Sequence, residues 1–183
     1  MWPWGHVAVA YLLYTASISR RSDRSVAPLA VVALAVGSQA PDLVDKPFAW
    51  TFDVLPGGRT LAHSIFFAAF VLATAYAVAR RIDRPESASA FGLGYVSHLV
   101  ADVPPSILTG DLSGTEYFLW PLLEVPPEEP VAGILDAFLN YYAMGPYEWI
   151  QLGLFAVAAV VWYRDGTPGL EWVDRLLGRP TDR

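Results

Sequence analysis

The stretch RRIDRPESASAFGLGYVSHLVAD, residues 80–102, contains in one segment the pattern that decides the fold. Three arginines stand at its beginning, an apolar run follows, and His98 and Asp102 stand at its end. If the run is helical, the i,i+4 spacing places these two side chains on one face, one turn apart. The stretch predicts a helix with cations at one end and ligand-type side chains at the other.

Four further apolar segments follow the same plan, so we predict five helices, at residues 2–18, 26–40, 61–79, 88–103 and 147–163. The second is predicted to end at Pro41, since proline interrupts a helix. Hydrophobic residues make up 54% of the chain and charged residues only 16%, against about 25% charged in soluble domains. We therefore predict an all-α integral membrane helical bundle of about five transmembrane helices plus interfacial helices. The alternative is a soluble all-α bundle with very apolar helices.

The cations predict an orientation. Ten of the twelve Lys and Arg residues lie at the segment ends opposite the histidines, and residues 85–163 contain none. By the positive-inside rule, the arginine-rich ends are cytoplasmic. We predict a multi-pass protein of the cell membrane with its N-terminus outside, a transmembrane domain at 1–165 and a cytoplasmic tail at 166–183. The start of the chain lacks the basic lead of a signal peptide, so we expect it to stay attached. The apolar segments 117–125 and 131–144 are short enough to lie at the membrane interface.

Composition also excludes partners and chemistries. The formal net charge of −6 argues against nucleic-acid binding, which needs a basic surface. The chain has no cysteine, which excludes disulfides and thiolate metal sites. Membrane lipids and a small-molecule or lipid substrate are the expected partners, and the sequence leaves the oligomeric state open.

The three histidines of the chain and three aspartates fall at the same end of successive segments. These six candidate metal ligands are His6, Asp42, Asp45, His63, His98 and Asp102. Imidazoles with carboxylates suit one or two borderline ions, with Zn²⁺ favoured and Mn²⁺ or Fe²⁺ as alternatives. Individually, each residue has a structural alternative: a hydrogen bond, a turn or cap, or a polar position at the headgroup boundary. Glu148, at the same end, is expected to be a solvated acid at a helix N-terminus.

The chain also resembles the membrane-bound metal-dependent hydrolases of YdjM type over nearly its whole length. Five elements carry the resemblance: an early histidine, a Pro-Asp turn, an Arg-x-x-x-His-Ser element, a His-x-x-x-Asp helix and a Trp-Pro segment. They stand here as His6, Pro41-Asp42 with Asp45, Arg59 with His63-Ser64, His98 with Asp102, and Trp120-Pro121. The family often has a histidine where this chain has Gly58, which puts a second metal in doubt. The resemblance implies metal-dependent hydrolysis, and a distant similarity to zinc-dependent phospholipases C implies a phosphoester substrate.

These observations favour a membrane-embedded hydrolase that acts through metal-activated water at the outer face, on a phosphoester or lipid-linked substrate. Asp45 is predicted to be the general base or a ligand of a second metal. Arg59 is predicted to hold an anionic group of the substrate. The alternative is a non-enzymatic membrane metal-binding or scaffold protein whose His/Asp cluster ties the helices together. A cation pathway is a third hypothesis, but carboxylates gathered at one face do not make a path across a membrane.

Overall fold

Proline begins four of the five α-helices that the structure describes. The computed structural model describes residues 1–19, 26–126 and 145–171. These ranges contain five α-helices and no strand: α1 (Pro3–Ser19), α2 (Pro28–Trp50), α3 (Ile65–Arg81), α4 (Pro85–Ala101) and α5 (Pro146–Arg164). Proline suits a first helical position, because its fixed φ is helical and the N–H that it lacks would have no partner there. The exception is α3, where the Ser64 side chain accepts a hydrogen bond from the Phe66 N–H at 3.3 Å and caps the helix.

The predicted all-α class and the five predicted helices are confirmed, but two boundaries were wrong. α2 does not end at Pro41: it continues through Pro41 and Pro47 to Trp50. Each proline removes one helical hydrogen bond, at a cost of about 3 kcal/mol or more, and tertiary contacts of α2 offset that loss. α3 begins at Ile65 rather than at residue 61, so His63 lies in the turn before the helix.

The helices that the structure describes do not show the length and hydropathy that the prediction of membrane-spanning helices requires. Within residues 1–19, 26–126 and 145–171, none of the helices combines the length and hydropathy that a membrane crossing requires. Of the predicted interfacial segments, 117–125 holds the end of a short 3₁₀ helix, Glu116–Leu119, followed by turns. The segment 131–144 and residues 172–183 of the predicted tail lie outside the described residues.

Two glycines bring α2 and α4 into backbone contact. A Cβ atom at Gly37 would collide with the carbonyl oxygen of Phe91, and one at Gly94 with the carbonyl oxygen of Leu34. The Gly94 position would also lie 2.8 Å from the Ser38 backbone nitrogen. Side chains at either position would therefore force the two helices apart. The close approach lets α2, at Asp42 and Asp45, share one polar site with the end of α4.

Four of these helices have one end at this site: α4 finishes there, whereas α1, α3 and α5 begin there. α2 runs parallel to α4 and passes the site at Asp42 and Asp45 before it ends at Trp50. The Trp2 N–H donates to Gln151 of α5 at 2.8 Å, and the Tyr11 hydroxyl donates to Asp165, just beyond α5, at 2.7 Å. α1 and α5 are therefore parallel to each other. One apolar core cluster packs α1, α2 and α4 away from the site (Ala10, Tyr11, Ala30, Val31, Leu34, Ala90), and a second lies between α3 and α4 beside the site (Ala68, Tyr95, Leu99).

Candidate metal centre

The end of α4 supplies two of the candidate ligands. His98 lies in its last turn and Asp102 caps it, with the Asp102 N–H donating to the His98 carbonyl at 3.1 Å. Both side chains are buried. His98 Nε2 and Asp102 Oδ2 are 3.8 Å apart, so the i,i+4 spacing does place the two groups together.

Hydrogen bonds determine which nitrogen of each central histidine carries the proton. His98 Nδ1 lies 2.7 Å from the Ser38 carbonyl oxygen, and His63 Nδ1 lies 2.8 Å from Asp45 Oδ2. A carbonyl and a carboxylate only accept, so Nδ1 must be the N–H in both rings. In their neutral forms both histidines therefore present an Nε2 lone pair, and these two nitrogens are 3.2 Å apart.

Two carboxylate oxygens complete a group of four acceptors. Asp42 Oδ1 lies 3.8 Å from His63 Nε2 and 3.6 Å from His98 Nε2. Asp102 Oδ2 lies 3.7 Å and 3.8 Å from the same two nitrogens. One ligand atom from each of the four residues lies within 4.8 Å of all the others. Ligands about 2.0–2.1 Å from a tetrahedral zinc ion are about 3.3 Å apart, so this spacing fits a cation.

The electron pairs of this group need a positive partner. Asp42 Oδ1 is buried and has no hydrogen-bond donor among the described residues, and in the neutral state the two facing nitrogens have no proton between them. A buried acceptor without a donor is costly. Either a proton on one imidazole or a bound cation satisfies this geometry.

Cations also contact the two carboxylates. Lys46 donates to Asp42 Oδ2, one helical turn away on α2. Arg59 Nε lies 3.2 Å from Asp102 Oδ2, and the α-amino group of Met1 lies 2.6 Å from Asp102 Oδ1. The Arg59 side chain is 42% exposed, so it links the buried carboxylate to the surface.

These charges offset part of the cost of burying two carboxylates. The α-amino group of Met1 and Arg59 lie beside Asp102, and Lys46 lies beside Asp42. The site therefore favours ionised carboxylates.

His6 lies beside the group of four. Its ring stacks on His98 with the centroids 3.7 Å apart and the planes at 14°. His6 Nε2 is 3.3 Å from Asp102 Oδ1, the oxygen that faces away from the other two histidines. Neither ring nitrogen has a good hydrogen bond within the described residues. The structure thus brings His6 to the site on the far side of Asp102.

Asp45 lies behind His63 and outside the group. Its carboxylate is fully buried and accepts the His63 Nδ1 proton at 2.8 Å together with backbone N–H groups of the preceding turn. Glu148 also stays outside: it accepts the Gly145 N–H at 2.9 Å at the start of α5, which fits the N-terminal acid predicted from sequence.

Three contacts escaped the sequence-based prediction. The Ser38 carbonyl orients His98, but a backbone carbonyl has no residue-type signature. The Tyr117 hydroxyl donates to the Asp102 carbonyl at 3.2 Å, and its ring packs edge-on against His63. The Ser64 hydroxyl donates to the Trp120 carbonyl at 2.6 Å. This last bond joins two elements of the resemblance, the His-Ser pair and the Trp-Pro segment, which the sequence showed only separately.

Fold and site together define a class: an all-helical protein whose helix ends converge on a buried His/Asp cluster able to hold a metal ion. The sequence model of the YdjM inner membrane protein family matches residues 1–166. This chain belongs to that family, as the resemblance predicted. It matches no curated protein and no solved structure.

Proposed function

We propose that this chain is a membrane-embedded metal-dependent hydrolase. Asp42, His63, His98 and Asp102 would hold one divalent cation, with Zn²⁺ favoured because two imidazoles and two carboxylates form a borderline ligand set. The observation that carries the proposal is the convergence of four electron-pair donors. Among the described residues Asp42 Oδ1 has no hydrogen-bond donor, and in the neutral state the two Nε2 atoms carry no proton. Membership of an inner membrane protein family supports the membrane location.

A divalent cation held by these residues would supply hydrolytic chemistry, because a bound metal lowers the pKa of water toward neutrality and polarises a scissile bond. Arg59 binds an anionic group of the substrate, since its guanidinium reaches from Asp102 to the surface. Apolar side chains exposed on the loops at this end, including Phe52, Val54, Leu108 and Leu122, suit a lipid or lipid-linked phosphoester.

One observation favours the second candidate, a non-enzymatic site that ties the helices together. The four ligand side chains are between 0% and 7% exposed, and a closed four-ligand cage is typical of structural metals. A catalytic site keeps one coordination position open to water. The two candidates therefore differ in turnover, not in metal binding.

Metal analysis of the purified protein, followed by turnover assays, tests the proposal. We expect about one transition-metal ion per chain, and hydrolysis of at least one member of a panel of phosphoesters and lipid esters in detergent. Wild-type protein that takes up no transition metal on titration would overturn the metal site. Protein that binds metal but hydrolyses nothing in the panel would favour the structural candidate.

The proposed orientation places the site at the outer face, with Arg80, Arg81 and Arg84 in the cytoplasm. The chain has no cysteine, so a single introduced cysteine reports its own location. In intact cells, an impermeant thiol reagent should label Ser113→Cys, near the site end, and should not label Ser89→Cys, near the arginines. The reverse pattern would place the site on the cytoplasmic side.

A further inference from the structure

Four N–H groups donate hydrogen bonds to one carboxylate, that of Asp45, which is buried. Oδ1 accepts the Ala62 N–H at 2.8 Å, and Oδ2 accepts the Thr60 N–H at 2.8 Å and the His63 N–H at 3.2 Å. The fourth donor is His63 Nδ1, 2.8 Å from Oδ2. Oδ2 therefore receives three donors and Oδ1 one, and Asp45 is 0% exposed. Among the described residues, these bonds direct the carboxylate to the turn before α3, and neither of its oxygens belongs to the four-ligand group.

The turn that Asp45 holds has few other ways to pair its backbone. Thr60, Ala62 and His63 are buried, and they precede the first residue of α3, so they have no helical hydrogen-bond partners. Buried N–H groups without acceptors destabilise a fold. Asp45 supplies three acceptor contacts from α2, while the Tyr95 hydroxyl of α4 donates to the Ala62 carbonyl. The turn is therefore clamped between the two central helices.

The fourth donor connects this clamp to the metal site. Since Asp45 accepts the Nδ1 proton, the Nε2 lone pair of His63 is left facing His98 Nε2, at 3.2 Å. Hydrogen-bond partners behind a ligating histidine fix its tautomer and ring orientation and raise its basicity. Loss of the acceptor allows the other tautomer, in which Nε2 carries the proton and cannot bind a cation.

We infer that Asp45 is a positioning residue, which sets the tautomer and the placement of His63, rather than a metal ligand or a general base. This assignment deepens the proposed function and depends on it for the identity of the bound ion. It replaces the role that the sequence predicted for Asp45. It also explains the Pro-Asp-x-x-Asp spacing: Asp42 faces the four-ligand group, and Asp45, one turn further on, faces the turn behind His63.

The test compares the full-length wild-type chain with Asp45→Ala and Asp45→Asn, using Zn²⁺ as the probe. The structure predicts that zinc affinity falls by about 10²-fold in Asp45→Ala and about 10-fold in Asp45→Asn, within the range for loss of a ligand's supporting partner. Asparagine keeps one oxygen for His63 Nδ1 but places an NH₂ group against a backbone N–H, so its effect is smaller. Asp165→Asn, the same change at the opposite end of the bundle, is the matched control and should keep wild-type affinity.

The second readout is the ring proton of His63, measured in metal-free protein by NMR with ¹⁵N-labelled histidine. The chain has only three histidines, so the spectrum is simple. Neutral His63 should carry its proton on Nδ1 in wild type, with a signal shifted by the carboxylate. This signal should move in Asp45→Asn and give way to the Nε2–H tautomer in Asp45→Ala. If Asp45→Ala does not fold, Asp45→Asn decides the matter.

Two results would overturn the assignment. One is an unchanged His63 signal together with wild-type zinc affinity in the Asp45 variants. The other is an unchanged His63 signal in Asp45→Asn with zinc lost as completely as in Asp42→Asn, which would make Asp45 a ligand. Wild-type protein without affinity for Zn²⁺ would defeat the proposed function, but the His63 proton would still show whether Asp45 sets the tautomer.

Discussion

The two ends of the bundle use charged residues in opposite ways. At the site end, His63, His98 and Asp45 are 0% exposed and bond to one another or to the backbone. At the other end, Arg80 and Arg164 are exposed to the surroundings at the last turns of α3 and α5. Exposed cations interact weakly and tolerate change, whereas buried, mutually bonded groups depend on each partner. The difference predicts that substitutions at the site end are costly and that substitutions of the arginines at the other end are tolerated.

The largest difference between the two ends is expected when a metal ligand is removed at the site end. We expect His98→Ala to weaken zinc binding by about 10²–10³-fold, because one of four ligands carries roughly a quarter of a typical total of about 10–16 kcal/mol. Isothermal titration of the purified protein measures the change. Glu148→Ala, at the same end but outside the group, should bind zinc as wild type does. Equal losses in the two variants would show that the end of the bundle, rather than the group of four, determines affinity.

Arg59 separates metal binding from substrate binding at the site end. Arg59→Lys keeps the charge but loses the planar fork, so substrate affinity or turnover should fall by about 10–10²-fold, the equivalent of one charge-assisted contact of roughly 1.5–3 kcal/mol. Zinc content should not change. Steady-state kinetics on whichever ester the wild type hydrolyses gives the answer. Loss of zinc without a specific kinetic defect would assign Arg59 to the support of Asp102 instead.

Two glycines on α4 allow a test of the helix contact beneath the site. Gly94→Ala should destabilise the protein by about 1–3 kcal/mol, the usual cost of overpacking, because its Cβ collides with the Leu34 carbonyl. Gly92→Ala is the matched control: its nearest neighbour would be a Leu72 side-chain atom at 3.6 Å, an ordinary contact. Denaturation in detergent should rank Gly94→Ala below wild type and Gly92→Ala at or above it, since alanine favours a helix.

The smallest effect is expected at the arginine end. Arg80→Gln should change the stability by no more than about 0.5 kcal/mol, as surface substitutions usually do, and should leave zinc affinity unaltered. Thermal unfolding and the same titration check both values. A marked loss of zinc affinity would mean that the two ends are coupled through α3, and the contrast between them would no longer hold.

The sequence predicted the parts of this molecule that depend on local pattern. The helices follow from apolar segments, and the pairing of His98 with Asp102 follows from helical periodicity. The meeting of the helix ends follows from the alternation of arginines and histidines along the chain. Each of these signals is carried by residue type at a short spacing.

The parts that escaped prediction depend on contacts distant in sequence. Pro41 marks a helix end by local rules, but packing of α2 against α4 carries the helix past it. Asp45 finds its partners 15 to 18 residues later, in backbone N–H groups that any residue supplies. The carbonyl that orients His98 lies 60 residues earlier, at Ser38. Every residue has a backbone carbonyl, so the residue type does not show which carbonyl will accept this hydrogen bond.

The glycine contact between α2 and α4 also restricts the register of the two helices. If α4 slid by one residue along α2, Leu93 or Tyr95 would come where Gly94 now meets the Leu34 carbonyl, and neither side chain fits there. A shift of one residue in either direction therefore prevents the pair from closing, and His98 stands one turn, about 5–6 Å, beyond this contact. The spacing of the four acceptors therefore depends on this backbone contact, and a change at Gly94 would act on the ligands through the position of α4.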